Sequence, residues 1–544
     1  MTRATRRAGV ARVPGAELTP RSGRIRESAL ATAPPGDRAN GAGWLLLTLL
    51  AFALGVRVIA AVAFPSIHHP DEVFQLFEPA HRLAFGWGVN TWEFVDGIRS
   101  LVPPTALAAV MSASEPLVGG PTGYIDAVRI ALALLSLIPV AAVWYAGRRE
   151  SFTHGVLSGL VAAAWFEIVY FSFRPLTEAL ACDFILTALA LASPADRNLP
   201  SRTLAGIGLC LALTVLLRLQ LAPGVALIAF AVGRLDIRRR WAPMALGAIP
   251  ALAVFGVADW LTWGVPFVSY FRSVAVNLGA GKASVYGVQS WSWYLVVVSA
   301  IWGPFLVAAI VLCAVRWRRS WLWIGFAAVE LVVHSAIPHK EYRFIYPALA
   351  ALVIAAALGS ADLLVLLRSR LPAVRPGVGI GATAVLWLIA SATLSAAPEF
   401  RPQWFYSSGA LESEAWLSGR SDICGVLFYD LVWTETGGYA FLHRRVPLYF
   451  PVYAMNLGAG NQLLWPPDLA ARLSKARSAA GAYDYVVLKP GSVAIFQPKF
   501  TLMGCFGVGT ERACVAERPG GCAPDPGLIP ILAVPRLGEP TTRP

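Results

Sequence analysis

Between residues 43 and 397 the chain is a succession of apolar runs, near 43–64, 124–146, 154–172, 179–194, 203–216, 221–233, 242–258, 292–315, 320–337, 344–366 and 378–397. Backbone that meets hydrocarbon must satisfy its N–H and C=O groups internally, and for separate segments of this kind that means helices. Length and hydropathy give about eleven crossings, so the expected fold is a polytopic α-helical membrane protein. Composition agrees, with 56% hydrophobic and only 14% charged residues, where a soluble domain carries about 25% charged.

The net charge of +13 does not indicate a nucleic-acid partner, because the basic residues stand in short groups between apolar runs, where the positive-inside rule puts them. Membrane lipids account for that charge, and the 19 Trp suit the headgroup level. Residues 1–42, with Arg3, Arg6, Arg7, Arg12, Arg21, Arg24, Arg26 and Arg38, read as a disordered cytosolic tail. The run 43–64 then acts as a retained signal anchor. Breaking the chain around Arg218, Leu219 and Gln220 keeps all basic groups, Arg148–Arg149, 196–202, Arg238–Arg240, Arg316–Arg319 and Arg368–Arg370, on the cytosolic side. The loop 65–123, the turn 173–178, residues 218–220, the loop 259–291, the turn 339–344 and the tail after 397 then share the exoplasmic face.

Those segments carry the chemistry. In HHPDE (68–72), Pro70, Asp71 and Glu72 suit an ordinary helix start. Alternatively Asp71 is a general base that takes the proton of an attacking sugar hydroxyl. The apolar spacing of Val73 to Gly86 predicts a helix along the membrane interface. Adjacent side chains on a helix do not converge on one ion, so His68 and His69 are not expected to hold a metal. HKEYRF (339–344) places four ionisable groups between two apolar runs, either as a snorkelling loop end or as a clamp for a lipid-linked phosphate built on Lys340 and Arg343. Arg174 and Glu178 flank Pro175; Glu178 reads as structural, and Arg218 stands open between a structural partner and a phosphate ligand. No P-loop or dinucleotide fingerprint occurs, so a soluble nucleotide donor and a cofactor are not expected.

Three stretches, HPDEVFQLFEPAH (69–81), GWGVNTWEFVDGIRS (86–100) and HKEYRFIYP (339–347), with an echo in GGYAFLHRRVPLY (437–449), resemble glycosyltransferase family 22 of the GT-C superfamily, the mannosyltransferases of dolichol-linked glycan and glycosylphosphatidylinositol assembly. The resemblance implies a GT-C fold and an inverting transfer of mannose from a polyprenyl- or dolichyl-phosphate donor to a lipid-linked glycan, giving an α-mannoside without a metal. It implies Asp71 as base with Glu72 beside it, and His339, Lys340 and Arg343 toward the donor phosphate; Arg218 at the helix break and Arg174 are further phosphate candidates read from the residues themselves. His69, Gln75, Glu78, Trp92, Glu93, Arg99 and Glu341 would contact substrate. Residues 174–178 depart from the family pattern, which leaves the sugar and acceptor open. An Arg- and Ala-rich, Lys-poor composition suggests a bacterial plasma-membrane enzyme.

After Ala397 the pattern changes. Strand-like runs Cys424 to Phe428, Val446 to Phe450 and Tyr485 to Leu488, with a helical piece from Asp468 to Ala480, predict a small α/β exoplasmic domain over 398–544 with a Pro-rich end from Pro524. Cys424, Cys505, Cys514 and Cys522 permit two disulfides in an oxidising space, with three connectivities open. Cys182, Cys210 and Cys313 lie in spans as small apolar residues. Alternatives in view are transfer of another lipid-phosphate sugar such as arabinose or glucose, a lipid or sugar transporter, which would be expected to show inverted repeats, and a silent scaffold for the tail.

Overall fold

The computed structural model describes residues 35–193, 198–370, 375–452, 456–457, 463–464, 467–523, 525 and 528. Expectations for residues 1–34, 194–197 and most of the Pro-rich end lie outside that set. The chain divides into two units, Met1–Leu47 and Thr48–Pro544. The first helix runs Pro35–Ala63, so residues 35–42, expected in the disordered tail, are helical; Pro35 in the first turn suits such a start. Everything below concerns the second unit.

Each apolar run forms helix, as a polytopic α-helical fold requires. Among the described residues five helices are long and apolar enough to span a bilayer, Gly43–Ala63, Gly120–Arg148, Ile237–Trp263, Tyr342–Arg368 and Pro376–Ala396, or six if the bent pair Trp293–Trp302 and Pro304–Val315 is one span. Shorter apolar helices, Phe152–Ala164, Ser201–Leu217, Leu219–Gly233 and Trp321–Ala336, accompany them, and several runs break. Gly303 takes φ 51° between the two bent helices, a conformation open to glycine, and Pro304 bars a helical residue before it; the axes diverge by 102°. Trp165, with ψ 131°, separates Phe152–Ala164 from Phe166–Phe171. Arg218 is extended (φ −143°, ψ 93°) after Ser201–Leu217, where the sequence placed a break.

Buried polar groups answer these breaks. The carbonyls of Ala162 and Ala163, orphaned at a helix end, accept from the Arg57 guanidinium at 3.0 and 2.7 Å, and Ser136 takes its Nε–H at 2.9 Å. Elsewhere small residues bring helices together. A Cβ on Gly208 would lie 1.9 Å from the Met244 carbonyl oxygen, and one on Gly247 1.9 Å from that of Ala205.

Two polar groups mark the ends of the helix Tyr346–Arg370. Arg343 immediately precedes it, and Asp362, five turns on, accepts from Arg316 at 2.7 Å beside His154 and Glu150. At 1.5 Å per residue these clusters are about 28 Å apart, close to the ~30 Å of a hydrocarbon core.

The tail carries a five-stranded sheet ordered Leu448–Tyr449, Val426–Phe428, Tyr485–Leu488, Ala513–Glu517, Thr501–Phe506, parallel in its first two pairings and antiparallel in the rest. The predicted helical piece is Leu469–Ser478. The disulfides are Cys424–Cys522 and Cys505–Cys514, the latter across paired strands. Side chains alternate between two faces. Leu427, Tyr449, Val486 and Leu488 fill one cluster; Val426, Phe428, Tyr485 and Val487 join Val73, Phe74, Leu76 and Phe77 of the first long loop in another.

That second cluster corrects the interfacial helix. Glu72–Phe77 forms a wide helical turn that continues as Glu78–Phe85, and every residue from Glu72 to His81 is buried. Glu78 clasps the two parts, its carboxylate accepting from the backbone N–H of Val89 and of Ala440, each at 2.8 Å. Gly438 (φ 60°) sits so close that a Cβ would be 2.4 Å from Glu78 Oε1. Burial pushes the Glu78 carboxyl up to about 7 from 4.5, against its backbone donors. The native state therefore keeps a proton that the unfolded chain has lost, so the contribution to stability is complete below about pH 4.5 and fades as pH rises through about 7. Thermal melting should accordingly fall between pH 5 and 8. Glu78→Gln, whose amide accepts only one of the two N–H groups, should lower stability by about 1–3 kcal/mol and flatten that slope; a melting temperature equal to wild type at both pH values would contradict the clasp.

Candidate active site

The HHPDE segment enters the bundle from the first helix and turns into the buried helix at Pro70. Its two carboxylates separate in role. Glu72 reaches back to accept the His68 N–H at 2.6 Å, as capping residues do, and pairs with the buried Arg174 at 3.2 Å. Arg174 also donates to the Ser66 carbonyl and hydroxyl, at 3.2 and 3.0 Å, and stacks on Tyr170 at 4.0 Å. Glu72 and Arg174 are thus a locked structural pair. Asp71 makes no capping bond and points the other way.

It points at the HKEYRF turn. Arg343, 2% exposed, donates to Asp71 Oδ2 at 2.6 Å and to Glu341 Oε2 at 2.5 Å, and forms an ion pair with Glu178 Oε1 at 3.3 Å. Glu178 is shared with Arg218 at 3.1 Å, and Arg218 lies 4.8 Å over the Phe344 ring. His69 bridges the carboxylates, 3.4 Å from Asp71 and 3.3 Å from Glu341, while His339 donates to Glu341 at 2.8 Å. Residues 71 and 343, distant in the chain, therefore share one buried polar cluster.

The charges set each other's protonation. Burial pushes the Asp71 carboxyl up, but Arg343, His69 and Arg99 prevail and hold it well below the usual carboxylate range. Glu341 is likewise held well below, by Arg343 and His69 against burial. Burial and Arg343 disfavour the His69 imidazolium, yet Glu341 and Asp71 raise its pKa above the ordinary value.

The remaining candidates lie at different distances from this centre. Lys340 is turned onto backbone, donating to the carbonyls of Ile337 and Gln289, and so closes a turn. Gln75 donates to Glu93 at 3.1 Å, and burial followed by the charge of Asp71 raises the Glu93 carboxyl. Trp92 carries Lys282 at 3.4 Å over its ring. Arg99 is half-buried close by, its Nε without a partner. Glu78 belongs to the clasp above. Sequence reasoning missed Lys282, which has no motif around it, and Glu167, a buried carboxylate that accepts from Trp165 at 2.9 Å, from Trp302 at 3.0 Å and from the Tyr342 hydroxyl. A lone acid inside an apolar run was its available signal. The only metal-like grouping among the described residues, Cys424, Asp484 and Cys522, has its thiols joined in a disulfide.

A family model for Alg9-like mannosyltransferases matches residues 45–399, which contain every residue of this centre. The chain belongs to the Alg9-like mannosyltransferase family. Membership makes it a membrane glycosyltransferase of the mannosyl-transferring kind. Relatives include GPI mannosyltransferase 3 of Yarrowia lipolytica, 26% identical over 74% of this chain and 76% of its own length. GPI alpha-1,2-mannosyltransferase 3 of Xenopus laevis is 24% identical over 61% of this chain, which spans 63% of that relative. The structure of ArnT from Cupriavidus metallidurans bound to undecaprenyl phosphate superposes with TM-score 0.56 at 13% identity, covering 89% of this chain and 99% of ArnT. At that identity the likeness concerns fold, and the shared architecture is the GT-C fold anticipated from the motifs.

Removing the guanidinium would strand three carboxylates. Arg343→Gln should destabilise the protein by about 3–5 kcal/mol, read as a lowered melting temperature at neutral pH. The contribution of the depressed Asp71 and Glu341 is present above the usual carboxylate range and is lost only as pH falls below it. The variant's deficit should therefore shrink toward pH 3, and a deficit independent of pH would refute the charge assignment.

Proposed function

We propose that the protein transfers mannose from a polyprenyl- or dolichyl-phosphate donor to a hydroxyl of a lipid-linked glycan, with inversion to an α-mannoside and with Asp71 as general base. The observation that carries this reading is the direct contact of Asp71 with Arg343 at 2.6 Å, which joins a proton acceptor to a cationic cluster in one buried place. The acceptor oxygen attacks the anomeric carbon, the bond from that carbon to the phosphate oxygen breaks, the electron pair leaves with the lipid phosphate, and the hydroxyl proton passes to Asp71. Arg343 and Arg218 supply positive charge near the departing phosphate.

Asp71 held ionised is correctly charged but weakly basic. An anionic donor brought beside it raises its proton affinity by like-charge repulsion and by drawing on the field of Arg343. Base strength thus grows when substrate arrives.

A lipid-borne donor fits the membrane side of the site. A cavity of about 260 Å³ lined by Trp302, Leu306, Ile310, Cys313 and Leu352 opens along the bent helices. The same Trp302 donates to Glu167, which takes the Tyr342 hydroxyl of the HKEYRF turn. Relatives named as GPI mannosyltransferases support mannose and a glycolipid acceptor. We place the enzyme in a bacterial plasma membrane with this centre on the exoplasmic side, because the basic groups at Arg148–Arg149 and Arg316–Arg319 lie toward the opposite end of the bundle.

Purified protein incubated with radiolabelled polyprenyl-phosphate mannose and membrane glycolipids should yield labelled glycolipid. Asp71→Asn should lower the rate by about 10²–10⁴-fold while melting as a folded protein. Turnover by the variant at the wild-type rate would remove Asp71 from the mechanism, and consumption of an arabinose or glucose donor alone would reassign the sugar.

A further inference from the structure

Most cations around the centre are already engaged. Lys340 is spent on two backbone carbonyls, Arg174 on Glu72 and Ser66, and Arg343 on three carboxylates. Arg218 gives a nitrogen to Glu178 and its plane to Phe344.

Arg99 differs. Among the described residues its guanidinium has neither a carboxylate partner nor a hydrogen bond; its Nε is buried with no acceptor, as are those of Arg174 and Arg218, whose other nitrogens are paired. Its charge nonetheless acts on Asp71, Glu93 and Arg218, so it stands beside the base without being bonded to it. A buried donor lacking an acceptor is unfavourable unless a ligand brings the oxygen.

Displacement with inversion makes a geometric demand on the phosphate ligand. The attacking hydroxyl and its base lie on one face of the sugar ring and the leaving phosphate on the other. The residue that grips the phosphate must therefore be near Asp71 and separate from it. Arg343 fails that demand, being bonded to the base itself at 2.6 Å; Arg99, with no carboxylate partner among the described residues, is not tied to the base.

Resting on the transferase reading above, we propose that Arg99 is the principal ligand of the donor's phosphate, its planar fork taking two phosphate oxygens, while Arg343 and Arg218 act through their field. The loop 86–100 thereby becomes part of the donor site. Lys340 does not bind the phosphate.

The test is equilibrium binding of farnesyl phosphate, a sugar-free prenyl phosphate, to the full chain in detergent. Arg99→Gln should weaken binding about tenfold or more. Arg99→Lys, which keeps the charge but not the fork, should weaken it by a smaller factor above about twofold and serves if the first variant does not fold. Lys340→Gln should stay within about twofold of wild type. Either folded Arg99 variant binding like wild type, or Lys340→Gln losing as much as Arg99→Gln, would overturn the assignment and leave the transferase reading intact. Failure of wild type to bind farnesyl phosphate would instead overturn the lipid-phosphate reading and this inference with it.

Discussion

One buried guanidinium holds the structure's far-flung parts together. A charge removed from water is costly by several kcal/mol unless partners surround it, and Arg343 finds its partners on three segments: Asp71 of the first long loop, Glu178 at the start of the helix Thr177–Ala192, and Glu341 of its own turn. Through Glu178 the arrangement reaches Arg218 at the break after Leu217. The helix breaks that shorten so many apolar runs are therefore not defects. They are where backbone and charged side chains turn inward, as irregular structure in a bilayer does when it lines a protein interior.

The same economy explains why the first loop is buried on all sides. A helix with Glu72, Gln75, Glu78 and His81 along it is too polar to rest in lipid, and the tail sheet covers it with Val426, Phe428, Tyr485 and Val487. Glu78 then binds a backbone N–H from each part, so the HPDE segment is gripped by Arg343 at one end and by the tail at the other. Preorganised charge of this kind carries much of the rate enhancement in group transfer.

The two charged residues of HPDE show how local rules and tertiary contacts divide the work. A capping role and a catalytic role were both open for the pair. Glu72 took the first, binding His68 N–H and Arg174, and Asp71 was left facing the cationic turn. Among cations, Lys340 was drawn onto the carbonyl of Ile337, at the end of the helix Trp321–Ala336 where such groups lack partners, and onto that of Gln289 in another loop. Arg343, three places later and with a planar fork, took the carboxylates instead.

Much of this was legible in the amino-acid order. Apolar runs dictate helices because lipid leaves no other choice for the backbone; Gly303–Pro304 dictates a bend; HPDE and HKEYRF, rich in charge between apolar runs, had to meet partners or water, and they met each other. The change of pattern after Ala397 and strands near 426, 448 and 485 followed from local periodicity. The pairing of Cys424 with Cys522, the burial of the helix after Pro70, the retirement of Lys340 and the solitude of Arg99 were not legible. Each depends on which surfaces and charges come together from distant segments, and a linear pattern encodes the need for a partner without naming the one that three-dimensional packing supplies.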